Sequence, residues 1–266
     1  MSRLISLAAG VLPEFSAEAV VDAAASAGFE AVGLRLDGDP CSPERTAALR
    51  RRIEDAGLVL LDAEVLWMRP GAFDESLYHV IDTAAALGAR NLLAVSADPD
   101  TGATVEKFGL ISDRAAEAGI PVSLEYGYFS AVQTVQAALG VLSAADRPNG
   151  HLLVDPLHLS RSRGSVADIA ALPSHLFSYA QFCDAGPDAP APEDKEAIYQ
   201  EALDGRLHLG DGVIPLAELL GCWRPDLPLS IELRSKRLRD DFPAADERAL
   251  HLNARCAEWL ARYDRR

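Results

Sequence analysis

The 266-residue chain is short of positive charge, of cysteine and of long apolar runs. Forty acidic side chains stand against 25 basic ones, for a formal net charge of −15, so no basic field exists to displace the counterions condensed on a phosphate backbone. Nucleic acid is therefore not an expected partner. Cys41, Cys183, Cys222 and Cys256 lie far apart with no Cys-x-x-Cys pair, which fits buried thiols in a reducing cytoplasm better than a disulfide framework or a structural zinc knot. The opening MSRLISLAAGVLPEF holds a short apolar stretch broken by Pro13 and Glu14, too brief for a membrane span and without a signal-peptide pattern. A soluble cytoplasmic protein with no membrane partner is the expectation. Also missing are the Gly-x-Gly-x-x-Gly fingerprint after the first strand and any GxxxxGK[ST] phosphate loop.

What is present is a repeating unit. Four junctions read alike, AASAG|FEAVGL at Gly28, IEDAG|LVLLDA at Gly57, AALG|ARNLLAV at Gly88 and AAEAG|IPVSLEY at Gly119, spaced by 29, 31 and 31 residues. That is the length of one strand, one helix and two loops, with each glycine where a helix ends in a left-handed residue. The helix from Ser16 to Ala27 is typical, with Ser16 as its cap and Ala19, Val20, Ala23, Ala24 and Ala27 on one stripe. Eight strands are expected: 4–8, 31–36, 58–65, 91–95, 121–126, 151–155, 176–182 and 229–233. With helices between nearly all of them and no hairpin signal, the pattern predicts a single α/β domain over residues 1–266, a (β/α)₈ TIM barrel. The seventh unit is irregular, because GPDAPAPEDKEAIYQEALDGR after Asp184 reads as an elaborated, acidic loop on the rim.

In such a barrel the site lies at the C-terminal strand ends. Four successive strands end in oxygen-bearing side chains: Glu125 in VSLEYG, Asp155 in LLVDPLH, Gln181 in SYAQFCD and Glu232 in LSIELRS. Period-two alternation puts Ser123 with Glu125 and Ser230 with Glu232 inside the barrel, while Val122, Leu124, Leu229, Ile231 and Leu233 face the helices. Three carboxylates aimed at one interior point repel each other unless a cation joins them, so Glu125, Asp155, Gln181 and Glu232 are the candidate metal ligands. An all-oxygen shell suits Mn²⁺ or Mg²⁺, and Co²⁺ or Zn²⁺ is compatible with it. His158, three residues after Asp155, can face the same pocket, for ligation or for proton transfer. Arg35 in GLRLDGD and Glu64 and Trp67 in LDAEVLWMRP are candidates for the mouth, the arginine as a donor to a substrate oxygen and the aromatic as an apolar wall; rim packing accounts for them equally well. The other ends of the first strands are bare of such groups. His79 and His175 are assigned structural places, His151 the bottom of the barrel, and His208 in GRLHLGDGVIPL stays open.

These motifs resemble the xylose isomerase-like TIM barrels of the sugar phosphate isomerase/epimerase superfamily, over about residues 3–262. That group includes tagatose 3-epimerases, hydroxypyruvate isomerase and inosose dehydratase relatives. NGHLLVDPLHLSRSRG is similar to the family's N-x-G-x-x-x-D-x-x-H pattern with one residue fewer, and Gln181 stands where many members carry histidine. The segment RLHLGDGVIPL resembles the R-x-x-P-G-E-G-x-I-D-L rim motif, with Leu209 for its proline and Asp211 for its acid. The resemblance implies the four-residue metal shell and substrate contacts from His158 and Arg206. It also implies that Glu125 and Glu232, across the metal, are the catalytic pair that moves a proton through an enediolate of a small hydroxy-ketone: a keto sugar, cyclitol or hydroxy keto acid. The expected activity is a metal-dependent isomerase or epimerase. The same shell serves a dehydroshikimate- or inosose-type dehydratase, and a catalytically silent metal- or sugar-binding barrel is the third alternative. The resemblance further implies oligomers formed near the rim, and a homodimer is expected, with Trp223, Pro225 and the loop from Pro187 to Pro192 as its stiff apolar surface.

Overall fold

The computed structural model describes residues 3–36 and 41–264. Eight strands, β1 Ile5–Leu7, β2 Ala31–Arg35, β3 Val59–Met68, β4 Leu92–Ser96, β5 Val122–Glu125, β6 Gly150–Leu153, β7 Ala180–Phe182 and β8 Leu229–Ile231, form one parallel sheet. Its order is β6-β5-β4-β3-β2-β1-β8-β7, the sequence order wrapped once round a barrel. Between the two terminal strands of that order, Gln181 N donates to Val154 O at 3.1 Å and draws the seam together. The seam thus lies between Asp155 and Gln181, two of the expected ligands.

The helices follow from local chemistry. α1 Ala17–Ala27 begins at Ser16, whose hydroxyl accepts from Ala19 N at 3.3 Å, and buries Val20, Val21, Ala23, Ala24 and Ala27. Gly28, Gly57, Gly88 and Gly119, the four expected helix ends, have φ of 80°, 68°, 82° and 70°. α2 Pro43–Asp55, α3 Ser76–Leu87, α4 Thr101–Ala116 and α5 Val135–Ala145 continue the alternation, capped by Ser42 before α2, Asp100 before α4 and Thr134 before α5. α6 Pro156–Arg161 and α7 Val166–Ala170 are short, and α8 Lys195–Asp204, α9 Leu216–Gly221, α10 Lys236–Asp241 and α11 Ala245–Tyr263 complete the chain.

The apolar side chains divide into two zones. Val122, Leu124, Leu229, Ile231 and Leu233 join the large core between sheet and helices, whereas Leu61, Leu93, Val95, Leu153 and Tyr179 form a smaller cluster. Adjacent strands contribute alternate residues to each zone, as the pleat requires. The polar phase is buried as well: Ser123 Oγ lies 2.9 Å from Ser178 Oγ, and Ser230 Oγ donates to Asp62 Oδ1 at 3.3 Å.

Three expectations are corrected. The seventh strand starts at Ala180, not at Leu176, because Pro173 opens a 3₁₀ turn over Ser174–Leu176 whose i→i+3 bonds occupy those backbone groups. The third strand runs on to Met68, so Trp67 lies within it and does not follow it. Trp223, expected on an apolar surface, is 5% exposed and packs edge-on against Phe177 and Phe182 at 6.1 and 6.3 Å between ring centres. His79 and His175 are exposed and hold no core position, and His151 is half-buried at the start of β6. Among the described residues no helix is long and apolar enough to cross a membrane.

Candidate active site

The C-terminal strand ends surround a cavity of about 200 Å³ whose lining includes Glu64, Glu125, His158, Gln181, Arg206 and Glu232. Glu125 ends β5, Gln181 lies within β7, and Glu232 follows β8 in the inward phase set by Ser230. All four of these strand-end positions, with Asp155, are buried. Arg35 and Trp67 line the same cavity from β2 and β3, and so does Glu64. Pairing between β3 and β4 shifts register between Ala63 and Leu66, and both Glu64 and Val65 reach the cavity wall there. All three first-half candidates thus reach the cavity.

Asp155 lies one step behind this lining. It caps α6, its Oδ1 accepting from Leu157 N at 2.7 Å and His158 N at 3.3 Å, and Pro156 occupies the first helical position, where no N–H is needed. Its Oδ2 is ion-paired with Arg206 Nη1. Arg206 reaches further: Nη2 is 3.1 Å from Glu232 Oε2 and 3.4 Å from His158 Nε2, and Nη1 is 3.2 Å from Cys183 Sγ. The guanidinium therefore bridges two of the expected metal ligands.

Arg206 is held there by its loop. Asp184, at the start of that connection, is 1% exposed, and its carboxylate accepts from Ala185 N, Gly210 N, Gly212 N and Ile214 N at 2.8 to 3.1 Å. Asp184 and Leu207 also exchange backbone hydrogen bonds at 3.0 and 2.8 Å, which fixes the residue next to Arg206. Four N–H groups on one buried carboxylate make this segment a folded unit.

The electrostatics follow from burial and crowding. Burial, then Glu232 and Asp155, push Glu125 well above the usual carboxylate range. Burial, Glu232 and Asp62 raise Glu64 to about 8, against the pull of Arg234 and Arg35. Beneath them, burial and Glu232 raise Asp62 to about 7, and its Oδ2 has no partner. Burial acts to raise Asp155 also, but Arg206 and His158 outweigh it and hold the group at about 2. Burial lowers His158 to about 4, so the ring is neutral at pH 7 and its 3.7 Å approach to Glu125 Oε1 is not an ion pair.

The donor set fits a divalent cation. Gln181 Oε1 is buried without a hydrogen-bond partner, and Glu125 receives no hydrogen bond from any described residue. Burial first and mutual repulsion second disfavour the charged forms of Glu125, Glu64 and Asp62, and a cation would relieve both. The tightest grouping is Glu125, Asp155 and His158, whose ligand atoms all lie within 4.8 Å of one another. His158 is thereby as well placed for the ion as for the substrate, a position its spacing from Asp155 alone left open.

Sequence reasoning passed over several contributors. Arg234 lines the cavity, and the alternation of Ser230 and Glu232 carried one step further points to it. Tyr199, Ala202 and Leu203 on α8 close the apolar side, at i, i+3 and i+4 spacing that marks one helix face. Phe129, tilted against His158 with 4.4 Å between ring centres, sits in a loop whose sequence carries no signal for it. His208 is outside this cavity, beside His251 with 5.1 Å between ring centres.

A family model described as xylose isomerase-like TIM barrel matches residues 21–247. No curated protein matches the sequence. Among solved structures, the IOLI protein with a bound zinc atom is similar over 97% of this chain and 98% of its own, with a TM-score of 0.80 and 15% identity. The probable 3-DHS dehydratase AsbF of petrobactin synthesis from Bacillus anthracis matches over 94% and 99%, at 0.68 and 16%. D-allulose 3-epimerase from Methylomonas sp. matches over 98% of each chain, at 0.67 and 17%. The chain spans only 42% of a xylose isomerase-like TIM barrel/4-hydroxyphenylpyruvate dioxygenase fusion protein, with a TM-score of 0.76 and 19% identity over 96% of this chain.

Proposed function

Because the chain belongs to the xylose isomerase-like TIM barrel family, we propose that it is a divalent-metal-dependent isomerase or epimerase of a small hydroxy-ketone. The observation that carries this reading is that Glu125 and Glu232, two buried carboxylates from strands on different sides of the barrel, face one cavity that also holds the unpartnered Gln181 oxygen. Moving a proton between adjacent carbons, or from one face of a carbon to the other, needs two such groups. Glu125, Asp155, Gln181 and Glu232 are the proposed ligands, with His158 close enough to join them. When bound, the ion would supply Lewis acidity that makes the proton beside the carbonyl easier to remove.

The chain's own residues do the rest. Glu125 takes or returns the proton from one side, and Glu232, its Oε2 held 3.1 Å from Arg206, serves the other. Arg206 stabilises the negative charge that spreads over the substrate's oxygens. The neutral imidazole of His158, pressed against Phe129, is suited to hydrogen-bond a substrate hydroxyl. Trp67, Phe129, Tyr199 and Leu203 keep bulk water from the reacting carbons. A volume of about 200 Å³ is below the roughly 300–1,000 Å³ of drug-sized sites, which fits a substrate of a few carbons.

Incubation with Mn²⁺ and a panel of keto sugars, inososes, hydroxypyruvate and dehydroshikimate in deuterated water tests the reading. Deuterium should enter next to the ketone with no other net change in mass. Loss of a water with a new near-ultraviolet chromophore would make the protein a dehydratase, and binding without exchange would leave a silent barrel.

A further inference from the structure

Arg234 is a cation of the cavity that no described residue answers. It extends the inward phase of β8 past Ser230 and Glu232 and lines the same cavity as the α8 side chains. Among the described residues its side chain makes no hydrogen bond and no ion pair, and its Nε is buried without a partner. A buried guanidinium N–H left unanswered is costly, and such a group in a folded protein calls for an explanation. Crowding is not the explanation, since Glu64, Glu232 and His158 all feel its charge yet none pairs with it. The fold also makes room for it. A Cβ on Gly10, in the 3₁₀ turn Ala9–Val11 that follows β1, would stand 2.9 Å from Arg234 Cδ and 2.8 Å from Glu232 Oε1, so the bare glycine leaves room for the arginine stem beside that acid.

We propose that Arg234 anchors an anionic group of the substrate, and that the substrate is a hydroxy-ketone bearing a carboxylate. This rests on the isomerase reading of the site. A guanidinium fork matches a carboxylate with two parallel hydrogen bonds. A phosphate matches it less well here, because a dianion would meet Glu64, Glu125 and Glu232 in the same small space with about twice the repulsion. With its carboxylate on Arg234, a short keto acid has its carbonyl and hydroxyl carbons between the two proton-handling glutamates.

Hydroxypyruvate and dihydroxyacetone differ by a carboxylate in place of a hydroxymethyl group, which makes them a matched pair of probes. Their affinities, with that of dihydroxyacetone phosphate, are measured by ligand-observed NMR in deuterated water on the Mn²⁺-treated protein, which also reports exchange. Wild type should favour hydroxypyruvate by about tenfold or more. Arg234→Gln should erase the preference and Arg234→Lys should keep part of it, with the thermal shift on adding Mn²⁺ unchanged in both. Equal affinities in wild type, a preference that survives Arg234→Gln, or tighter Arg234-dependent binding of the phosphate would each overturn the assignment. An Arg234-dependent preference without exchange of any ketone upholds the anion anchor and removes the isomerase reading. Exchange confined to neutral ketones does the reverse.

Discussion

Asp155 divides its carboxylate between a helix and a cation: Oδ1 caps α6 and Oδ2 holds Arg206. Both partners are buried, Arg206 at 3% and Asp155 at 1% exposed. Removing the guanidinium would leave Asp155 and Glu232 uncompensated together. Arg206→Met should therefore cost roughly 3–5 kcal/mol of stability in chelator-treated protein. Urea unfolding measures this, and an unchanged midpoint would mean that the pair carries no net weight.

Added Mn²⁺ should recover part of that loss and should stabilise the wild type as well. An ion that binds only the folded barrel contributes about 2.7 kcal/mol at a hundredfold excess over its Kd. Glu125→Gln and Asp155→Asn should abolish the thermal shift, whereas Glu64→Gln should retain it. A shift of equal size in all three variants would place the ion elsewhere.

His158→Asn separates two roles that the geometry allows. If the ring serves the substrate, metal content stays near one ion per chain while turnover falls by about tenfold or more. If it serves the ion, elemental analysis will find the metal depleted in the same variant, and the ligand set becomes Glu125, Asp155 and His158.

Asp62 and Glu64 give the metal-free protein a distinctive pH response. Their folded-state values, about 7 and about 8, lie above those of the unfolded chain, so between roughly pH 4 and pH 8 the folded state binds the extra protons. Stability from these two groups is thus full at low pH and is lost as pH rises through 7 to 8. His158 acts with the opposite sign at lower pH: held near 4, it leaves the unfolded chain with the extra proton between about 4 and 6.5, and stability falls as pH drops through that window. Asp62→Asn should raise stability at pH 8 by roughly 1–3 kcal/mol and flatten the slope above pH 6. Denaturant midpoints at pH 6 and pH 8 decide it, and a variant as pH-sensitive as wild type would mean that Asp62 is ionised throughout.

The barrel was readable because its signals are local and repeated. Glycines at one helix ending after another, a serine cap at Ser16 and alternating Ser/Glu on β5 and β8 each depend on near neighbours, and the structure puts each in its expected phase. The seventh strand was misjudged because the run over residues 176–182 does not reveal that the turn after Pro173 takes in Leu176 and that pairing begins only at Ala180. The site was partly readable for the same reason. Strand phase points to Glu125, Gln181 and Glu232, but Arg206, 51 residues from Asp155 in sequence, meets it only through the loop that Asp184 folds. Arg234 lay within reach of the same alternation that identifies Glu232.

α8 stands apart from the rest of the cavity wall. Only Ile198 of its ten residues is buried, and the helix is fixed by peripheral ties, with Glu201 on Arg161 at 2.6 Å, Lys195 Nζ on Tyr128 O at 2.9 Å and Tyr199 hydroxyl on Phe129 O at 3.2 Å. Glu125, Gln181 and Glu232, in contrast, grow from the sheet itself. Exchanging Tyr199 and Leu203 would therefore alter the apolar wall of the cavity while the strand-borne carboxylates keep their places, whereas Ala202, whose carbonyl accepts from Arg206 Nε at 3.1 Å, ties the helix to the centre of the site.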